Sequence, residues 1–176
     1  MPAFFDGDIV KEGDITKGSA MKDRAVIAVI GGRKTDKRLL KEAEAVGRLI
    51  AERGAVMLCG GLGGVMEAAS RGAKSAGGLT VGILPHEHKI RVNEFIDVAI
   101  PTGLGIGRNV IIARAAEALI AVGGEYGTLS EIAFALQMGK PVVGIGTWEI
   151  RGVLQTEDAA EAVEKAFEQL ASRPGA

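Results

Sequence analysis

The chain has 176 residues, enough for one domain with a buried core. Its net charge of −1 and its 4% aromatic content argue against a basic, base-stacking surface for nucleic acid and against attraction to an anionic membrane. Cys59 is the single cysteine, so no internal disulfide can form and a reducing cytoplasm is the expected location.

Residues 1–23 are polar, lack a helical or strand period, and read as a mobile N-terminal arm. Asp6, Asp8, Lys11, Glu12 and Asp14 stand where a secretory signal would carry an apolar core, so none is expected. From residue 24 to residue 176 one domain is expected. Ala25–Ile30 is a continuous Val- and Ile-rich run, the pattern of a strand buried on both faces, and Gly31-Gly32 ends it. Asp36–Arg53 has an apolar helical face and stops at Gly54. A strand over Ala55–Cys59 runs into the loop Gly60–Gly64, and a helix follows over Val65–Ala76. Strands are expected over Leu79–Leu84 and Asp97–Ile100, separated by a polar loop. The glycine-rich segment Pro101–Gly107 precedes a helix over Arg108–Glu117. Ala118–Val122 is the fifth strand, Thr128–Met138 a helix, Val142–Ile145 the sixth strand, and Glu157–Ala171 a closing helix. No apolar run is long enough to span a bilayer.

Six short strands alternating with helices predict an α/β fold: a Rossmann-like, doubly wound parallel sheet in a three-layer single domain. Ligands of such sheets sit beyond the carboxyl ends of the strands, at the switch point in strand order. Glycine, present 26 times, clusters at those ends. Gly60, Gly61, Gly63 and Gly64 flank Leu62 between a strand and a helix, where backbone N–H groups can face an anion. A tight turn needs one or two glycines, so four favour close approach of a ligand. The loop is not a dinucleotide fingerprint, because Met66 stands at the third glycine position, and no Walker A sequence is present. Gly31 and Gly32 make a similar strand end, with Arg33 beside them as a weaker anion-binding candidate.

Gly105 and its neighbours lead to Arg108 and Asn109. A cation opening a helix opposes the helix dipole, and a bound anion would reverse that penalty. Gly123, Gly124, Gly127 and Thr128 form another strand-to-helix turn, followed by Glu131. Thr128-Leu129-Ser130-Glu131 reads as a capping box, which explains both polar residues without catalysis. Tyr126 is placed to line a pocket. His86-Glu87-His88 has metal-ligand types but no evident third ligand, so no metal site is expected. Cys59 reads as a packing thiol.

Val122-Gly123-Gly124-Glu125-Tyr126-Gly127-Thr128-Leu129-Ser130-Glu131 resembles the Pro-Gly-Gly-x-Gly-Thr-x-x-Glu signature of the LOG-like superfamily. That superfamily includes phosphoribohydrolases, proteins labelled lysine decarboxylases, and the DprA/Smf-related group. The Gly60–Gly64 loop is similar to a second block of the superfamily. Thr102-Gly103-Leu104-Gly105 with Arg108-Asn109 is similar to its molybdenum-cofactor-carrier-like branch. The likeness spans roughly Ala25–Trp148. It implies a carrier-like protein that binds a phosphate-bearing small molecule, molybdenum cofactor or nucleotide, and a dimer or tetramer. The alternative it implies is a nucleoside 5′-monophosphate phosphoribohydrolase that needs no cofactor. In that reading Arg108 and Glu131 are catalytic, and Asp97 or Glu125 is the candidate second carboxylate. Val122 in place of proline, and Asn109 in place of the enzymes' lysine, favour the carrier branch. Lys34, Lys89 and Lys140 lack the acidic partner that a pyridoxal-bearing lysine needs, which argues against decarboxylation.

Overall fold

The computed structural model describes residues 23–172; nearly all of the expected N-terminal arm lies outside them. Seven strands form one sheet: β1 (Val26–Gly31), β2 (Val56–Cys59), β3 (Thr80–Leu84), β4 (Val98–Pro101), β5 (Ala118–Val122), β6 (Val142–Ile145) and β7 (Val153–Thr156). Their spatial order is β4-β3-β2-β1-β5-β6-β7. Every neighbouring pair is parallel. The order reverses direction between β1 and β5, which makes that gap the switch point. β7 has no counterpart among the six expected strands. It is a four-residue edge strand with its two middle residues exposed and only Val153 and Leu154 apolar, whereas the exposed strand at the other edge, β4, still carries the apolar run Val98-Ala99-Ile100.

Five α-helices cover the sheet: α1 (Lys37–Glu52), α2 (Val65–Ser75), α3 (Asn109–Ala115), α4 (Tyr126–Gln137) and α5 (Ala159–Ala171). Along β1, Ile27 and Val29 join one core with buried residues of α1, α2 and α5, while Ala28 and Ile30 join another with Ile112 of α3 and Ile132 of α4. The period of two along a strand thus divides the apolar residues between two layers. Burying each large aliphatic side chain contributes about 1.5–3 kcal/mol. α1 and α2 touch closely through glycines: a Cβ at Gly47 would lie 1.9 Å from the Ala69 carbonyl oxygen, and one at Gly72 1.9 Å from that of Glu44. Asp36 caps α1 by accepting from the Leu39 amide.

Two expected helix starts differ at the site, and α5, expected from Glu157, begins at Ala159 after its N-cap Asp158. A 3₁₀ turn over Gly105–Arg108 precedes α3, so Arg108 closes that turn and does not open the α-helix. α4 begins at Tyr126, two residues before the expected start. Thr128 therefore lies inside the first turn, and the capping box is absent: the N-cap is Glu125, whose side chain makes no capping hydrogen bond. The glycine-rich approach lets the backbone become helical before the threonine is reached.

Candidate functional site

The carboxyl ends of β1, β2, β3 and β5 open into a cavity of about 570 Å³. Its floor holds the most unusual pair in the molecule. Arg108 Nη1 lies 3.3 Å from Glu131 Oε1, with side chains 9% and 8% exposed. The turn before α3 supplies the arginine and the second turn of α4 the glutamate. Neither position is adjacent in sequence to the other, and the packing of α3 against α4 brings them together. Burial pushes the Glu131 carboxyl up to about 7, against the opposing pull of Arg108. Burial likewise lowers the Arg108 pKa, against the pull of Glu131. The Nε of Arg108 is buried and has no hydrogen-bond partner among the described residues. An unpaired buried donor of this kind costs free energy that an arriving acceptor would recover.

Gly60 makes room for this guanidinium: a Cβ there would lie 2.3 Å from Nη2 of Arg108. Gly31, Gly32, Gly63, Gly105 and Gly127 also border the cavity. Gly105 has nothing within 4 Å of where its Cβ would stand, and Gly127 only Asn109 Nδ2 at 4.0 Å. Both therefore leave open space. Gly61, Gly64, Gly123 and Gly124 do not border it. Their absent Cβ positions face Leu84, the Arg33 backbone, Leu39 and Thr128 respectively, and all four have positive φ, so packing and backbone conformation account for them.

Asn109 and Thr128 border the cavity and are buried. The Asn109 side-chain amide donates to the Gly127 carbonyl at 3.2 Å and to Ser130 Oγ at 2.9 Å, tying α3 to the start of α4. Beside it, the amides of Tyr126, Gly127 and Thr128 fall in the first turn of α4, where helix geometry supplies no acceptor. The Leu129 amide is the first to be satisfied, by Glu125 O at 3.0 Å. Gly63 and Met66, on either side of the start of α2, border the same space; Gly64 gives no side-chain cap there, and the Val65 amide donates to Gly32 O at 3.1 Å. Two helix N-termini and a guanidinium thus converge, an arrangement suited to a phosphate.

Arg33 borders the cavity and is exposed. Glu125 borders it too, so of the two candidate second carboxylates only this one is at the site. Asp97 precedes β4, at the opposite end of the sheet. It pairs with Lys74 at 2.7 Å and accepts from the Thr80 amide at 3.0 Å. Tyr126 does not line the cavity; it is largely exposed and packs on Trp148, ring centroids 6.0 Å apart. Cys59 is fully buried, with burial raising its pKa and the Gly61 amide donating to its sulfur at 3.3 Å. Among the described residues, no group of three or more His, Cys, Asp or Glu is placed to hold a metal ion. None of the described helices is long and apolar enough to cross a membrane. Lys140 donates to the carbonyls of Arg114 and Ala116, and neither Lys34 nor Lys89 borders the cavity.

Sequence reasoning missed Asn93 and Arg91. Asn93 clips the β3–β4 connection onto the glycine loop: its amide donates to Gly61 O at 3.0 Å and its side chain to Leu62 O at 2.9 Å. Arg91, two residues earlier, borders the cavity. Both sit in a polar loop without period, where no pattern separates them from solvated neighbours.

Known proteins share this architecture. The molybdenum cofactor binding protein of Rippkaea orientalis is similar at 37% identity and TM-score 0.80, over 84% of this chain and 98% of that one. The molybdenum cofactor carrier protein of Chlamydomonas reinhardtii is similar at 36% identity and TM-score 0.76, over 85% of this chain and 100% of that one. An uncharacterized protein of Archaeoglobus fulgidus is 53% identical over 119 residues, which cover 68% of this chain and 78% of that protein. The SLOG cluster4 family matches residues 24–172, virtually the whole described domain. The chain, with its parallel sheet and its cavity at the strand ends, belongs to the SLOG cluster4 family.

Proposed function

We propose that this protein binds a phosphate-bearing small molecule of the molybdenum-cofactor kind in the cavity and holds it without reacting it. The observation that carries the reading is the buried Arg108 guanidinium, with its unpartnered Nε, beside the uncapped start of α4. The likeness to two proteins described as binding or carrying molybdenum cofactor supports that ligand over a generic phosphate. Arg108, the amides of Gly127 and Thr128, and the backbone around Gly60 and Gly63 would hold the phosphate. Gly31, Gly32 and Gly105 would let the ligand approach the backbone, and Asn109 would fix the two helices that carry the charged pair. The described residues offer no metal-ligand set, so the cofactor would be held through its organic part and its phosphate. The test is equilibrium binding of molybdenum cofactor, followed by its protection from oxidation. Binding with protection is expected; the absence of binding would overturn the reading.

A second reading is favoured by the place of Glu131, buried at the cavity, where burial pushes its carboxyl up to about 7 and so suits it to acid–base work at neutral pH. In a nucleoside 5′-monophosphate phosphoribohydrolase, Glu131 would stabilise the oxocarbenium-like ribose or orient water. Arg108 would hold the phosphate, and Glu125 would be the second carboxylate. Release of adenine and ribose 5-phosphate from AMP, lost in Glu131→Gln, would establish this activity. We rank it second because Glu131 is engaged by Arg108.

We also infer a homo-oligomer. The one charged residue of α4, Glu131, faces inward, while Tyr126 and Phe134 are exposed. An outer helix face without charge fits burial against a second copy. Sedimentation of the wild type as a dimer or tetramer, and of Phe134→Glu as a smaller species, is the expected result.

A further inference from the structure

Among the described residues, every left-handed backbone position but one is a glycine, and the exception is Arg91, at φ 56. A side chain at such a position is strained, and glycine would hold the same turn freely. This chain uses glycine at the other such turns. Arg91 borders the cavity, as does His86 from the same β3–β4 connection. Strain retained at a cavity wall is a signature of a functional side chain.

The connection is firmly placed. Gly103 and Gly105 donate backbone hydrogen bonds to the carbonyls of His86 and Pro85 at 3.0 and 2.9 Å. Asn93 fixes the other end to Gly61 and Leu62. Between these anchors, neither Arg91 nor His86 makes a side-chain hydrogen bond or ion pair within the described residues. Arg91 is exposed and His86 half-buried. The carboxylates at the cavity are Glu131, engaged on the floor by Arg108, and Glu125, on the turn before α4. The cavity therefore has three cations, Arg108 on its floor, the exposed Arg33 beside the β1 end and Arg91 on its β3–β4 wall, carried by different connections.

We propose that Arg91, assisted by His86, forms a second anion subsite, so that the ligand of this cavity carries two separated anionic groups, one met by Arg108 and one by Arg91. This rests on the phosphate-cavity reading above and adds the ligand's second charge to it. A ligand spanning both sites gains from the first contact when making the second. A ligand with one anionic group gains nothing from the outer site.

Arg91→Gly is the clean variant, because glycine adopts this backbone without strain and the fold survives. Crystals are soaked in tungstate, whose anomalous scattering locates bound anions. Two sites are expected in the wild type, one at Arg108 and one between His86 and Arg91, with only the first remaining in Arg91→Gly. In solution, bisphosphonates of increasing methylene length are titrated against methylphosphonate. One length is expected to bind the wild type about ten-fold more tightly than the monophosphonate, an advantage absent from Arg91→Gly. Tungstate at Arg108 alone, or an outer site that persists in Arg91→Gly, overturns the second subsite and leaves the phosphate cavity standing. Equal binding of every bisphosphonate and the monophosphonate overturns it as well. Tungstate at neither place overturns the phosphate cavity itself.

Discussion

Arg108 and Glu131 meet through a single 3.3 Å contact on the floor of the cavity, with less than a tenth of either side chain exposed. A buried pair of this kind gains attraction but loses hydration on both sides, so its net value is small while each charge alone is costly. Arg108→Ala or Glu131→Ala is expected to cost about 3–5 kcal/mol in urea denaturation, while the double replacement Arg108→Met with Glu131→Leu is near neutral or stabilising. Single replacements that prove harmless would show that the pair is hydrated in solution.

The same burial sets a pH dependence. Glu131 is raised from its ordinary 4.5 to about 7, so the folded state holds a proton that the unfolded state releases earlier. Its contribution to stability is complete below about 4.5, falls as pH rises through about 7, and is then constant. The loss amounts to about 3 kcal/mol at most. Glu131→Gln should flatten the pH profile of the melting temperature in this window.

Protonation of Glu131 also frees Arg108 for an incoming anion. Sulfate, which does not titrate here, should bind more tightly at pH 6 than at pH 8, with proton uptake on binding measurable in buffers of different ionisation enthalpy. An affinity independent of pH would place the anion away from this pair.

Gly127 and Gly60 separate stability from binding. Gly127→Ala puts a methyl into open space on a helix and should stabilise the fold by about 0.5–1 kcal/mol. The same methyl stands where a ligand would approach, so anion affinity should drop. Gly60→Ala must displace the Arg108 guanidinium, which its Cβ would meet at 2.3 Å. A loss of about 1–2 kcal/mol in anion binding, read by calorimetry, is expected from the broken charge-assisted contact.

Cys59 should be inert. Its thiol is buried and its pKa is raised by that burial, so little thiolate exists near neutral pH. A colorimetric disulfide reagent should react at a measurable rate only after denaturant is added; rapid reaction in buffer would mean that the β2 end opens.

The sequence made the sheet legible because burial on both faces leaves continuous apolar runs such as Ala118–Val122, which nothing else in the chain resembles. β7 escaped because only Val153 and Leu154 of its four residues are apolar, whereas β4 at the other edge keeps the run Val98-Ala99-Ile100 although it is exposed. Arg108 and Glu131 were recognisable one at a time, from the glycines before them, but their contact depends on how α3 packs against α4. The capping-box reading of Thr128 failed for a local reason: the pattern was present, yet the helix had already begun at Tyr126. Glycines posed a different difficulty. Gly60 and Gly124 look alike in sequence, and only the neighbours of their missing Cβ atoms reveal that one makes space for a guanidinium and the other for Thr128.

Asn93 joins the β3–β4 wall to the glycine loop by a backbone and a side-chain hydrogen bond. The two walls are thereby stapled into one jaw at this point. In the carrier reading proposed above, a jaw so joined would release its cargo through the mouth of the cavity.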